Sequence, residues 1–248
     1  MKLELNPELQ AQSAFSAARL QANGVLQLRD LLPASDCQAL YQVAASLPYQ
    51  LSLNSGDKSM DLDLTELASL NPAQQQQLTQ LIHQGAASGF QYCFDSYRLS
   101  DRMEAGLACP PLLQHYYHWL NSAAFLQLLR DISGDQGIVY CDAQVTRYRP
   151  GHFLTSHDDA VAGKGRVLAL VFHLSPYWQP DWGGLLLFHQ PDGVVKAGFS
   201  PQSNTLNLFQ VPAVHAVTMV APFAQADRIA ITGWARTQQP PTAVPVSQ

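Results

Sequence analysis

Residues 166–174 form an almost continuous apolar run, Arg166-Val167-Leu168-Ala169-Leu170-Val171-Phe172-His173-Leu174. A run of this kind, rich in β-branched and aromatic residues, is typical of a strand buried on both faces. Shorter strand-like segments precede and follow it, and no helical pattern separates them. We therefore predict antiparallel strands in a sandwich or jelly roll, and not a parallel α/β sheet.

Turn signals separate the predicted strands of this second half of the chain. The strands are expected over 138–148, 167–174, 185–189, 205–211, 214–220 and 228–235. Between them stand clusters such as Arg149-Pro150-Gly151 and Trp182-Gly183-Gly184, in which Gly and Pro favour chain reversal. Short strands joined by such turns are typical of the two faces of a β-sandwich.

Helical patterns dominate the chain before about residue 135. Helices are predicted to begin near Ser35 or Asp36, at Pro72 and at Pro110-Pro111, because these residues cap or open helices. We therefore predict an α+β fold in a single domain over 1–237, with helical support over 1–134 and a jelly-roll core over 135–237. The Pro-rich segment 238–248 is predicted to be a flexible tail.

The composition excludes several functional classes. Of the 248 residues, 47% are hydrophobic and only 13% are charged, with a net charge of −5. Binding to nucleic acid by phosphate neutralisation needs clustered Lys and Arg, and the 14 basic residues are scattered. No apolar run is long enough to span a bilayer. The sequence thus predicts a soluble cytoplasmic protein without nucleic-acid or membrane partners, and four scattered cysteines agree with a reducing compartment.

The stretch His157-Asp158-Asp159 contains the pattern H-x-D. On a strand, residues i and i+2 face the same side, so His157 and Asp159 would present an imidazole and a carboxylate together. These are two of the three ligands of the 2-His-1-carboxylate triad that holds non-haem Fe(II). His215, on an otherwise apolar predicted strand, is the candidate third ligand. A histidine on such a strand is also compatible with a hydrogen-bonded residue of the core.

Arg228 opens the last predicted strand, Arg228-Ile229-Ala230-Ile231-Thr232-Gly233-Trp234. A guanidinium that leads an apolar strand into a core is costly unless a carboxylate meets it. That carboxylate belongs either to a ligand or to a protein acid such as Asp227. Both interpretations remain open from the residues alone.

Taken in order, the H-x-D pattern, His215 and Arg228 resemble the 2-oxoglutarate and Fe(II)-dependent dioxygenases. Tyr148, nine residues before His157, and the segments 166–174 and 177–186 extend the match. The pattern is similar to the prolyl 4-hydroxylase branch, and within it to the catalytic domain of the eukaryotic ribosomal-protein prolyl hydroxylases. The resemblance covers residues 138–237, is faint before them, and implies a double-stranded β-helix (jelly roll) with supporting N-terminal helices.

The resemblance also implies roles for individual residues. The implied Fe(II) ligands are His157, Asp159 and His215. The implied cosubstrate-binding residues are Arg228, Tyr148, His173 and Thr232, with Arg228 at the distal carboxylate of 2-oxoglutarate. No catalytic residue is implied beyond the metal ligands. Two departures stand out: Arg228 is followed at +2 by Ala230 and not by Ser, and the second sandwich of the ribosomal hydroxylases has no counterpart here.

The activity implied by the resemblance is hydroxylation of a protein or peptide, at proline, with succinate and CO2 as coproducts. Fe(II), 2-oxoglutarate and O2 would be required, ascorbate would serve as reductant, and a translation-related protein would be a possible partner. One alternative is hydroxylation of a free amino acid or other small metabolite. Another is a non-catalytic metal-binding module or a zinc hydrolase, neither of which requires Arg228 or Tyr148. No pattern specifies an oligomeric state.

Overall fold

The computed structural model describes residues 3–56 and 58–240 of the chain. The helices in these residues are α1 Pro7–Ala11, α2 Ser13–Asn23, α3 Ala34–Ala45, α4 Leu64–Ala68, α5 Pro72–Ser88, α6 Leu99–Glu104, α7 Pro111–Leu120 and α8 Ala123–Ser133. The strands are β1 Val25–Arg29, β2 Gln50–Ser55, β3 Lys58–Asp63, β4 Tyr92–Tyr97, β5 Tyr140–Cys141, β6 Gln144–Tyr148, β7 Phe153–His157, β8 Arg166–His173, β9 Leu186–His189, β10 Val195–Phe199, β11 Thr205–Gln210, β12 His215–Val217 and β13 Arg228–Arg236.

The strands form one curled antiparallel sheet. Its order is β1-β11-β8-β13-β6-β4-β7-β12-β9-β10, while β2 pairs with β3 and β4, and β5 pairs with β13. Because the sheet curls, residues of β6 and β13 on one side and of β7 and β12 on the other line the same cavity. The predicted α+β fold with a double-stranded β-helix is confirmed.

Alternation along β13 separates the helical layer from the cavity. Ile229 and Ile231 are buried in the cluster that includes Leu128 and Leu129 of α8. Ala230, which lies between them, faces the other way, since it belongs to the second cluster, which surrounds the cavity. Because side chains alternate along a strand, the register that buries the isoleucines against the helices also points Arg228 into the cavity.

The N-terminal half is less purely helical than its sequence pattern suggests. The predicted helix starts are present in α3, α5 and α7, but four strands lie among the helices, and β1 and β4 join the central sheet. β4 (Tyr-Cys-Phe-Asp-Ser-Tyr) is buried along five of its six positions between β6, β7 and β2. This segment is a strand because it pairs with strands distant in the sequence, and local periodicity does not indicate such pairing.

The predicted tail 238–248 falls mainly outside the described residues. Gln239 donates its side-chain amide to the carbonyl of Val139 at 3.2 Å, and residues 241–248 lie outside the described part. In the residues that the structure describes, the longest helix, α5, has 17 residues, and none combines the length and hydropathy needed to cross a membrane. All four cysteines are buried and unpaired.

Candidate active site

The three predicted metal ligands meet at one end of the cavity. His157 is the last residue of β7, His215 is the first of β12, and the two residues are direct partners in the antiparallel pair. Asp159 reaches both imidazoles, with Oδ1 3.3 Å from Nε2 of His157 and Oδ2 3.5 Å from Nε2 of His215. One ligand atom from each of the three residues lies within 4.8 Å of those of the other two.

Backbone carbonyls orient both imidazoles. Nδ1 of His157 lies 3.0 Å from the carbonyl oxygen of Thr155, and Nδ1 of His215 lies 2.7 Å from that of Ala213. A carbonyl can only accept, so each Nδ1 carries the hydrogen and each Nε2 keeps its lone pair. Hydrogen bonds of this type set the tautomer and the ring orientation of metal-ligating histidines. Both Nε2 atoms are thus prepared for a cation beside Asp159.

Asp159 does not lie on the strand on which the sequence argument placed it. β7 ends at His157, and Asp159 has a φ of 63°, in the left-handed region. The prediction that strand alternation aligns His157 with Asp159 is therefore wrong in its mechanism. A chain reversal after the strand brings the carboxylate to the imidazoles, and Asp is among the residues that tolerate this conformation.

The charges of the triad suit a divalent cation. Burial lowers the pKa of His215 to about 4, and the neighbouring His157 adds to the effect. Burial would raise the pKa of the Asp159 carboxyl, but the adjacent His157 and His215 favour the carboxylate form and hold the pKa below its usual value. His215 is therefore neutral and Asp159 ionised at neutral pH. Two imidazoles and one carboxylate, with the remaining positions open, form the ligand set of non-haem Fe(II) oxygenases.

The triad opens into a cavity of about 440 Å³ between the two faces of the curled sheet. Three of the four predicted cosubstrate residues line it: Tyr148, Arg228 and Thr232. The fourth, His173, lies at the end of β8 and is fully buried behind the lining. The cavity wall is otherwise mostly apolar, with Phe94, Leu186, Phe209 and Val217 among its residues.

Arg228 supplies an uncompensated positive charge to this cavity. The side chain is 1% exposed, Nε donates to the carbonyl of Gly184 at 2.8 Å, and Nη2 is buried without a partner. No carboxylate pairs with it in the described part of the chain, and Asp227 lies instead 3.9 Å from Arg147. Burial lowers the pKa of Arg228 to about 10, against an opposing effect of Tyr148. Since a buried unpaired cation is costly, the unpartnered Nη2 fits an anionic ligand such as the distal carboxylate of 2-oxoglutarate.

The other predicted cosubstrate residues surround Arg228. Tyr148 is its cross-strand partner, and the Arg228 guanidinium carbon lies 5.0 Å from the Tyr148 ring centroid. Burial raises the pKa of Tyr148 above its usual value, so its hydroxyl stays protonated. His173 receives a hydrogen bond from the Asn207 amide at Nε2 (3.0 Å), and its Nδ1 is buried without a partner. Burial and the charge of Arg228 lower the pKa of His173 far below its usual value, so it is neutral.

Arg166 and Trp234 also belong to the site, although no role was predicted for them from the sequence. The Arg166 guanidinium carbon lies 3.5 Å from the Trp234 ring centroid, and Nη1 donates to the carbonyl of Asp159 at 3.0 Å. Nε of Arg166 and Nε1 of Trp234 are both buried without a partner, and both residues line the cavity. A cation at the start of an apolar strand, the signal that singled out Arg228, was present at Arg166 as well.

Comparison with known proteins agrees with this geometry. Residues 143–236 match the family model of the 2OG-Fe(II) oxygenase superfamily. The segment contains the triad, Tyr148, Arg166 and Arg228. The match therefore covers the part of the chain that carries the triad and the predicted cosubstrate residues.

Three solved structures share the fold. A Pseudomonas putida prolyl-4-hydroxylase is 22% identical, with a TM-score of 0.59 over 92% of this chain and 100% of that one. A prolyl hydroxylase from Trichoplax adhaerens, in complex with a hypoxia inducible factor oxygen degradation domain peptide fragment, is 18% identical, with a TM-score of 0.62 over 94% of each chain. A 2OG-Fe(II) oxygenase family oxidoreductase from Burkholderia pseudomallei is 16% identical, with a TM-score of 0.60 over 93% of each chain. At these identities the likeness establishes the fold alone.

Fold, triad and family match together define the class of protein. Residues 143–236, which carry the triad, match the model of the 2OG-Fe(II) oxygenase superfamily. The chain is an oxidoreductase of the dioxygenase class, with prolyl 4-hydroxylases among its structural neighbours.

Proposed function

We propose that this protein is a prolyl hydroxylase, which uses Fe(II), 2-oxoglutarate and O2 to hydroxylate proline in a protein or peptide and releases succinate and CO2. The observation that carries the proposal is an outer groove that borders the cavity. A groove of about 340 Å³ shares Arg98, Gln144, Arg166 and Trp234 with the cavity that holds the triad. An extended chain that lies in this groove would be placed next to the cavity that holds the triad.

The residues that would hold the cofactors are those of the triad and of the deep end of the cavity. His157, Asp159 and His215 would ligate Fe(II), and Arg228 would bind the distal carboxylate of 2-oxoglutarate. Iron bound together with 2-oxoglutarate supplies the activation of O2, and ascorbate would keep the metal reduced. The apolar wall excludes water from this region, which strengthens the pairing of Arg228 with a carboxylate.

Two unpartnered donors support an amide-containing substrate. Nε of Arg166 and Nε1 of Trp234 are buried without hydrogen-bond partners, and both residues line the cavity as well as the groove. Buried donors are normally satisfied, so this pair calls for an acceptor that arrives with a ligand. A peptide carbonyl meets that requirement without bringing a net charge.

The rim of the cavity also favours a large substrate. Phe90 and Val161 line the cavity, and each is 47% exposed. Exposed apolar side chains around a concave site are typical of surfaces that bind another chain. The Trichoplax neighbour was solved with a peptide fragment, which agrees with this use of the fold.

The resemblance to ribosomal-protein hydroxylases suggests a translation-related substrate in the cytoplasm. That partner and that location stay predictions. The alternative substrate, a free amino acid, also has an argument in its favour. Its carboxylate would pair with Arg166, which has no acidic partner in the described residues, and the molecule would leave the outer groove empty.

Two probes separate these substrates. The protein is incubated with Fe(II), ascorbate and 2-oxoglutarate, together with either a library of proline-centred peptides or free L-proline, and succinate and product mass are measured. We expect succinate formation and gain of one oxygen atom on peptide proline, abolished in His157→Ala. Oxygen gain confined to free L-proline would favour the alternative. No succinate, and no thermal shift with Mn(II) plus 2-oxoglutarate, would contradict dioxygenase activity and favour a non-catalytic or zinc-dependent module.

A further inference from the structure

The loop between β7 and β8, residues 158–165, carries Asp159 and is held at both ends by arginines. Nη1 of Arg166 donates to the carbonyl of Asp159 at 3.0 Å. Nε of Arg236 donates to the carbonyl of Lys164 at 2.8 Å. The first arginine therefore holds the residue that supplies the carboxylate ligand, and the second holds the far end of the same loop.

The conformation of Asp159 depends on such support. Its φ of 63° lies in the left-handed region, which side-chain-bearing residues adopt rarely. This conformation aims the carboxylate at Nε2 of His157 and Nε2 of His215. Next to Asp159, the amide of Ala160 donates to Oδ1 of Asp158 at 3.0 Å, and the amide of Ala213 donates to the carbonyl of Asp158 at 3.3 Å. Without Arg166, the carbonyl of Asp159 would lose the hydrogen bond that holds the peptide unit after this residue.

The Arg166 side chain is itself held in place by its neighbours. Its guanidinium stacks on the ring of Trp234 at 3.5 Å, and the backbone amide of Trp234 is fixed by Oδ1 of Asp142 at 2.8 Å. No carboxylate pairs with Arg166 in the residues that the structure describes. A planar guanidinium stacked on an aromatic face presents its N–H groups in fixed directions, and here one of them is directed at the backbone of a metal ligand.

We infer that Arg166 is a positioning residue that holds Asp159 in its metal-binding conformation, through the backbone carbonyl of Asp159 and not through its carboxylate. The inference rests on the metal site of the proposed function and deepens it. Removal of a group that hydrogen-bonds to a metal ligand and orients it typically lowers metal affinity about 10- to 100-fold. Arg166 would do so through the main chain of the ligand residue.

Arg236 provides the matched control. It is also an arginine that bonds a carbonyl of this loop, and it pairs with Asp142 at 3.2 Å. Its carbonyl partner, Lys164, is distant in the loop from Asp159. Loss of Arg236 should therefore loosen the loop and lower thermal stability without moving the metal ligand.

The experiment compares Arg166→Met, Arg166→Lys and Arg236→Met with the full-length chain, without 2-oxoglutarate or substrate. Mn(II) affinity is measured by titration calorimetry, and amide hydrogen exchange of residues 158–165 is measured in the metal-free protein. We expect Arg166→Met to weaken Mn(II) binding about tenfold or more and to speed exchange next to Asp159. Arg166→Lys, whose ammonium can still donate to a carbonyl, should fall between Arg166→Met and the unchanged protein. Arg236→Met should keep Mn(II) affinity within about twofold, a change too small to count as loss of a ligand-orienting group.

Two results would overturn the inference. One is unchanged Mn(II) affinity in Arg166→Met, and the other is an equal loss in Arg166→Met and Arg236→Met. If Arg166→Met does not fold, Arg166→Lys decides by the same comparison. If the unchanged protein binds no Mn(II), the proposed function fails. Exchange in the metal-free protein then tests the inference separately, and unaltered exchange beside Asp159 in the Arg166 variants contradicts it.

Discussion

His157 and His215 are direct cross-strand partners, and their ring centroids lie 4.1 Å apart. The pairing of β7 with β12 thus sets the distance between two ligands that are far apart in the sequence. A sheet register is rigid, because a slip by one residue would turn each side chain to the other face. The site therefore has two ligands fixed by the sheet and a third, Asp159, fixed by a loop.

Asp159→Asn should reduce divalent-metal affinity sharply, because the amide keeps the shape of the side chain and removes the negative charge. We expect a loss of at least about tenfold in Mn(II) affinity. Asp158→Asn is the control, since its side-chain oxygen can still accept from the amide of Ala160. Titration calorimetry checks both. Equal losses in the two variants would contradict the role of Asp159 as the ligand.

Arg228→Met should separate cosubstrate binding from metal binding. Loss of the charged hydrogen bonds to a carboxylate is worth roughly 1.5–3 kcal/mol, or at least about tenfold in 2-oxoglutarate affinity. Mn(II) affinity should change little, because Arg228 contacts the carbonyl of Gly184 and the ring of Tyr148 and not the triad. Since burying an unpaired charge is costly, the free energy of unfolding without 2-oxoglutarate should stay level or rise. Equal losses of metal and 2-oxoglutarate affinity would contradict the assignment.

Gly184→Ala should weaken 2-oxoglutarate binding by displacing Arg228. A Cβ at this position would lie 2.9 Å from Cδ of Arg228 and 3.2 Å from Cζ2 of Trp178, and the residue has a φ of 63°. Gly193→Ala is the matched control, because Gly193 also has a positive φ (88°) but faces open space. Both variants should lose stability from backbone strain, about 1–2 kcal/mol. Only Gly184→Ala should raise the dissociation constant of 2-oxoglutarate in a binding titration.

His152 should make the stability of the protein depend on pH below neutrality. It is 7% exposed, its Nδ1 has no partner, and burial lowers its pKa to about 4, partly opposed by Asp95. The unfolded chain, with a histidine pKa of about 6.5, binds a proton in this range that the folded protein does not. The contribution of His152 to the free energy of unfolding is therefore complete above pH about 6.5 and falls as the pH drops toward about 4, by roughly 1.4 kcal/mol per pH unit.

Urea unfolding at several pH values tests this in His152→Gln. The decrease in the free energy of unfolding between pH 6.5 and 4 should be smaller by about 3 kcal/mol than in the unchanged protein. His118→Gln, on the exposed side of α7, should leave the decrease as it was. An identical decrease in all three proteins would show that His152 does not remain neutral in the folded state.

The candidate site was predictable in its residue types and only partly in its geometry. His157 and Asp159 stand out because they form an H-x-D pattern, and His215 and Arg228 because metal-binding or charged side chains are rare on apolar strands. The left-handed turn at Asp159 and the bond from Arg166 were not predictable, since both depend on how the loop closes on β13. For the same reason β1 and β4 were missed, because each becomes a strand by pairing with segments far along the chain.

By itself, the sequence determined most of the antiparallel strands of the second half, although not β7 and β10, together with the main helix starts and the identity of the candidate ligands. These follow from local periodicity, turn residues and the cost of placing charge among apolar neighbours. Only the tertiary structure decided that the two histidines face each other, that Arg228 is left without an acidic partner and that Arg166 holds the backbone of Asp159. Such relationships depend on the register and curvature of the sheet, which are set by contacts between residues distant in sequence.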